Sequence, residues 1–118
     1  MTEYTRPPGK TTIAPEVLTT IARMATLSVP GVREMAPVAG GVNRLFRRGT
    51  DNGVQIAIHD SIVLADIFVV VMEEVNIREV GRNIQQQVTR AIQEMTGMDV
   101  GQVDVHIEDM HYEGSQEA

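Results

Sequence analysis

Among the 118 residues, the side chains that could do chemistry are few, and their spacing says what each could do. The histidines are His59, His106 and His111. His106 and His111 are five positions apart, so on a continuous strand they point to opposite faces and cannot hold one metal ion without a bend. Asp60 and Asp109 could add oxygen ligands, but solvated positions explain them as well. Ser28, Ser61 and Ser115 stand in no Gly-x-Ser-x-Gly elbow and at no spacing that pairs a serine with a histidine. Gly9, Lys10, Thr11 and Thr12 resemble the end of a phosphate-binding loop. That loop needs a second glycine five positions earlier, and Tyr4 stands there. Glu73 and Glu74 are adjacent and project apart in an extended segment. Asp66 is different, because it interrupts an apolar run. A carboxylate so placed can act as an acid or base, bond an amide or arginine, or stand at an interface. Partner and interface are the commoner fates.

Composition narrows the classes further. With 42% hydrophobic but only 3% aromatic residues, the core must be built from Val, Ile, Leu, Met and Ala. Tyr4, Phe46, Phe68 and Tyr112 are too few to make a stacking platform for nucleobases. No glycine pair has the Gly-x-x-Gly spacing of the KH type of RNA binder. A net charge of −6 also opposes general polyanion binding, so no nucleic-acid partner is expected. The absence of cysteine excludes disulfides, thiolate nucleophiles and Cys-ligated metal, and it fits a reducing cytoplasm. No cofactor is implied. Charge is unevenly spread: Arg33, Arg44, Arg47 and Arg48 make the middle basic, while no Lys or Arg follows Arg90 and the acidic residues continue from Glu94 to Glu117. Solvated faces explain such asymmetry; the sharper reading is two surfaces for different partners. The N-terminal residues lack the charged-then-apolar pattern of a signal peptide, and the apolar stretch Ile62 to Met72 is too short to cross a bilayer as a helix.

These residues must be held by elements that the periodicity marks out. Ile77, Val80, Ile84, Val88, Ala91, Ile92 and Met95 recur at steps of three and four, which predicts an amphipathic helix over 77–95. Asn76 with Glu79 reads as a capping box, and Gly97 as a left-handed C-cap. Val103, Val105 and Ile107 then alternate with polar residues as a half-buried strand. Upstream, Thr11 to Ala14 reads as a short strand leading into a helix from Pro15 to about Ser28, which Pro30 and Gly31 end. Val17, Leu18, Ile21, Ala22, Met24, Ala25 and Leu27 form its apolar face. Val32 to Met35 is a short strand. Val54 to His59 and Ile62 to Met72 read as a hairpin around Asp60 and Ser61. Residues 1–10 and 111–118 are expected to be flexible tails of one domain over 11–110. The segment 36–53 is expected to be a variable loop, in which Val42, Leu45 and Phe46 share helical spacing beside Arg44, Arg47 and Arg48.

The second hairpin strand is apolar on both faces, which normally means cover on both sides. Two helices can cover only one face of a small sheet. Either the long loop covers the other, or another subunit or partner does.

Three segments together resemble the alkaline shock protein family of bacterial envelope stress proteins: GKTTIAPEVLTTIARMATLSVPGV (Gly9 to Val32), IVLADIFVVV (Ile62 to Val71) and NIREVGRNIQQQVTRAIQEMTGMDVGQVDVHI (Asn76 to Ile107). Ala14 stands where the family often has an acidic or hydroxyl cap, and the arginine-rich stretch from Gly40 to Gly49 is a variable region. The resemblance implies a small cytoplasmic, non-enzymatic domain that associates with itself and with membrane-anchored relatives at the inner face of the cell membrane. It brings no catalytic residues.

The expectation is therefore an α+β two-layer sandwich: a small mixed sheet with two main helices on one face, in the order β-α-β-β-β-α-β. Its function is expected to be envelope homeostasis by homo-oligomerisation and docking to a membrane-anchored protein. Arg44, Phe46, Arg47, Arg48, Asp66, Phe68 and Val70 are the expected interaction residues. The alternatives are an accessory or regulatory subunit of a metabolic enzyme, and an enzyme that uses Asp66 with a histidine.

Overall fold

The computed structural model describes residues 8–38, 49–51 and 53–111. Helix α1 is Pro15–Leu27 and helix α2 is Ile77–Thr96; the strands are β1 (Val32–Met35), β2 (Gly49–Asp51), β3 (Val54–His59), β4 (Ile62–Met72) and β5 (Asp99–His111). Among the described residues they form two helices and one five-stranded mixed sheet, the expected α+β class.

α2 is set by its ends and its apolar row. Asn76 Oδ1 accepts from the Glu79 N–H at 3.0 Å, which satisfies one of the orphan donors of the first turn. Gly97, at φ +77°, closes the helix by donating its N–H to the Gln93 carbonyl at 2.9 Å. Glycine holds this left-handed position without the steric penalty of a Cβ. Between the caps, Val80, Ile84, Val88 and Ile92 are buried at steps of four, while Ile77 and Met95, expected on the same face, overhang the ends and are exposed. α1 has no side-chain cap at Ala14, but Pro15 starts it with a preset φ. It buries Leu18, Ile21 and Ala22. Its buried hydroxyls are paired within the helix: Thr19 donates to the Glu16 carbonyl and Thr26 to the Ala22 carbonyl, each at 2.8 Å.

The sheet is organised around β4. β3 and β4 form the expected hairpin, with Asp60 at φ 51° and Ser61 at φ 67°, the two positive values of a type I′ turn. β5 returns through α2 and lies parallel to β4 along its whole length, Ile62↔Asp99 to Met72↔His111. The opposite edge of β4 is shared: β3 pairs with Ile62 to Ile67, and β1 with Val69 to Val71. They meet at Phe68, whose N–H donates to the Gly53 carbonyl and whose carbonyl accepts from the Ala36 N–H, both at 2.8 Å. Gly53 sits in this junction at φ +83°. A Cβ there would lie 2.7 Å from the Ala36 oxygen and 2.8 Å from the Phe68 oxygen, so the three-way meeting needs glycine.

Two expectations about the elements themselves change. Thr11 to Ala14 is not a strand; Ile13 packs on the core while Thr11, Thr12 and Ala14 stay exposed. One core-facing side chain in four residues gives no face to hold a strand in register. A strand also appears inside the expected loop, since β2 pairs with Val54 to Ile56 of β3. The order is thus α-β-β-β-β-α-β.

Both helices pack on one face of the sheet. Val54, Ile56, Val63, Ala65, Ile67, Val69, Val71 and Val103 meet Leu18, Ile21, Val80, Ile84, Val88 and Ile92 in one aliphatic core.

Candidate docking face

The other face of β4 carries Ile62, Leu64, Asp66, Phe68, Val70 and Met72, because side chains alternate along a strand. Ile62 and Leu64 are each 39% exposed. At the centre, a His106 Nε2 to Asp66 Oδ1 hydrogen bond of 2.9 Å joins β5 to β4, with both side chains 41% exposed. The His106 ring stacks on Phe68, centroids 4.4 Å apart and planes 13° from parallel. Stacking at this distance holds the imidazole plane against the Phe68 ring while Nε2 meets the carboxylate. Phe68 itself is only 6% exposed.

Of the expected interaction residues, Asp66, Phe68 and Val70 share this face, with Val70 half-buried beside Glu34 of β1. Arg44, Phe46, Arg47 and Arg48 lie outside the described residues. Sequence reasoning missed Ile62 and Leu64 as the exposed apolar members, and it missed His106 as the partner of Asp66. The signal for His106 was its place on the wet side of the alternating strand. Only the parallel register of β5 brings it across from Phe68 and next to Asp66.

The same register revises the histidine geometry. A bulge between Ile107 and Asp109 inserts one residue, so His106 pairs with Phe68 and His111 with Met72, on one face rather than on opposite faces. Four residues of β4 separate these partners, about 13 Å at the usual strand rise, too far for one ion. No group of three or more His, Cys, Asp or Glu among the described residues could hold a metal.

Beside Asp66 a hollow of ≈ 190 Å³ opens to solvent, lined by Gln55, Ala57, Leu64, Asp66, Gln102 and Asp104 among others. Its groups are amides, carboxylates and aliphatic carbons, with no hydroxyl, thiol or amine to act as a nucleophile. A histidine and a carboxylate in contact resemble two members of a catalytic triad, but the third member has no candidate in this lining. The arrangement can orient an imidazole and present hydrogen-bonding groups between apolar ones.

A family comparison matches residues 3–112 to a family with a cell envelope-related function. The chain belongs to the alkaline shock protein 23 (ASP23) family. Two proteins similar to it are YqhY of Bacillus subtilis (strain 168), 32% identical over 101 residues that make up 84% of this chain and 75% of YqhY, and Spy1535 of Streptococcus pyogenes serotype M6, 32% identical over 110 residues that make up 91% of this chain and 81% of Spy1535. Among solved structures, a MamM CTD variant superposes with a TM-score of 0.53 at 16% identity, covering 84% of this chain and all of that one. At that identity the likeness to MamM CTD is one of fold. No helix among the described residues of this ASP23 family member is long and apolar enough to cross a membrane.

Proposed function

We propose that this protein is a non-enzymatic assembly component of the cell envelope, which self-associates in the cytoplasm and docks through the open face of β4 onto a membrane-anchored partner at the inner side of the membrane. The observation that carries this reading is the asymmetry of β4: five apolar side chains on the helix side are sealed, while Ile62 and Leu64 on the other side are two-fifths exposed around a paired Asp66 and His106. Full burial of a Leu or Ile side chain is worth roughly 1.5–3 kcal/mol, so a partner that covers this face gains most where the chain alone leaves it wet. A small apolar cluster set around hydrogen-bonding groups is the common anatomy of a protein-binding patch. Family membership supports the envelope setting. The basic residues Arg44, Arg47 and Arg48, with Phe46 beside them in sequence, supply charge suited to an acidic partner segment or the anionic inner leaflet.

The test is retention of the protein in membrane fractions from lysed cells. Ile62→Asp/Leu64→Asp should lower retention at least fivefold with a normal circular dichroism spectrum at 25 °C, since both side chains can reach water. Equal retention of wild type and variant, or no retention of the wild type, would overturn the reading. Co-purification with a soluble enzyme that the same variant abolishes would instead favour an accessory subunit.

A further inference from the structure

α1 carries more apolar surface than the core takes. Leu18, Ile21, Ala22 and Ala25 face the sheet and α2. Val17, Met24 and Leu27 do not: they are 46%, 63% and 47% exposed. At 3.6 residues per turn, Val17, Thr20, Met24 and Leu27 fall within about 80° of one another on the far side of the helix. Their spacing of three, four and three makes a straight stripe. α2 has no counterpart, because its outward side carries Arg82, Gln85, Gln86, Thr89, Arg90 and Gln93.

An open apolar hollow of ≈ 590 Å³ runs along the stripe from Ile13 to Met24, lined also by Val17, Thr20 and Met95, the last 70% exposed. Past it, Arg23 and Leu27 border a second hollow of ≈ 550 Å³ with Arg33, Glu34 and Met35. Thr20, the smallest side chain of the stripe, lies near its middle. One border of the stripe carries charge: Glu16 near the start and Arg23 near the end. Arg23 has contacts within the chain, and its five N–H donors allow it to serve a second carboxylate as well.

We infer that this stripe is the interface for a second copy of the same chain, with the two α1 helices crossing antiparallel on a two-fold axis at Thr20. Such an axis reverses direction while keeping each border opposite its own counterpart. Each Glu16 then faces Arg23 of the second copy, and each Leu27 enters the hollow beside Ile13 and Met95. A parallel pair would set each Glu16 level with the start of the second α1, about 10 Å short of its Arg23, and leave the charges unmatched. The stripe is self-complementary in charge only when antiparallel, which is why a second copy is its occupant. A helix of this length is about 20 Å long, so the patch falls short of the usual ~800 Å² per partner and the dimer is a reversible one.

This inference rests on the self-association in the proposed function and assigns it a surface apart from the open face of β4. The experiment is sedimentation equilibrium of the full chain at high micromolar concentration. Wild type should show a reversible monomer–dimer equilibrium. Glu16→Arg and Arg23→Glu should each weaken it at least tenfold with normal circular dichroism, because each places like charges opposite one another twice. An equimolar mixture of the two variants should recover the dimer, since both cross pairs become attractive. A wild-type dimer that neither variant weakens, or a mixture that stays monomeric, would overturn the α1 interface while self-association stands. A monomeric wild type would overturn both, and membrane retention would then decide the docking part separately.

Discussion

Val69 and Val70 are neighbours in sequence and identical in type, yet they sit on faces of β4 with different fates. On the helix side Val63, Ala65, Ile67, Val69 and Val71 are sealed by α1 and α2. On the other side the row runs Ile62, Leu64, Asp66, Phe68, Val70 and Met72; only Phe68 is buried, and a carboxylate stands at the centre. The closed face holds the fold by volume and contact. The open face is built from similar residues but carries two side-chain hydrogen bonds, Asp66 with His106 and Gln102 with Asp104, and one ring stack, which leaves its apolar edge available. Hydrophobicity along a strand therefore says that both sides want cover. It does not say that the chain itself provides it.

The comparison can be broken most sharply by placing a charge on each face in turn. Val69→Asp should leave the chain unfolded at 25 °C, since an unpaired buried carboxylate costs about as much as the whole stability of a small domain. Val70→Asp should cost about 1–2 kcal/mol in urea unfolding, because the side chain can reach water. Equal losses would erase the distinction between the faces.

Phe68 sharpens it from the other direction, as the buried member of the open row. Phe68→Ala should cost about 3–5 kcal/mol, the range for a buried aromatic, and a loss below about 1 kcal/mol would show that the ring is not covered. The junction that holds Phe68 in place gives the next effect. Gly53→Ala should destabilise by more than about 2 kcal/mol, since it combines a left-handed backbone with two carbonyl oxygens inside contact distance. A thermal midpoint within a degree of wild type would contradict the geometry.

The smallest effect belongs to the polar pair. Asp66 and His106 are each two-fifths exposed, so a double-mutant cycle with Asp66→Asn and His106→Ala should give a coupling of about 0.2–1 kcal/mol. A coupling above about 3 kcal/mol would make the pair structural, and the open face would lose its account as a binding surface.

Much of this fold was legible before any coordinates. α2 announces itself by Asn76, Gly97 and its apolar row, and β4 and the β3–β4 turn follow from alternation around Asp60 and Ser61. What was not legible depended on partners distant in sequence. Asp66 and His106 are forty residues apart and meet only because β5 takes the free edge of β4 in parallel. The bulge that returns His111 to the face of His106 leaves no mark in local pattern. Gly53 needed three chain segments to meet before its role showed. In α1 the residue types were right and the face was not: seven apolar residues in one short helix span more arc than one packing surface can cover, and the excess was itself the signal for an outward stripe.

The open face as a docking surface is the central claim, and a photocrosslinking amino acid at position 64 tests it most directly. Irradiated in intact cells, the chain labelled at position 64 should form a discrete adduct with a membrane-embedded protein, while the chain labelled at position 86, on the polar side of α2, should form none. Adducts of equal yield from both positions, or none from position 64 while the protein is retained at the membrane, would contradict it.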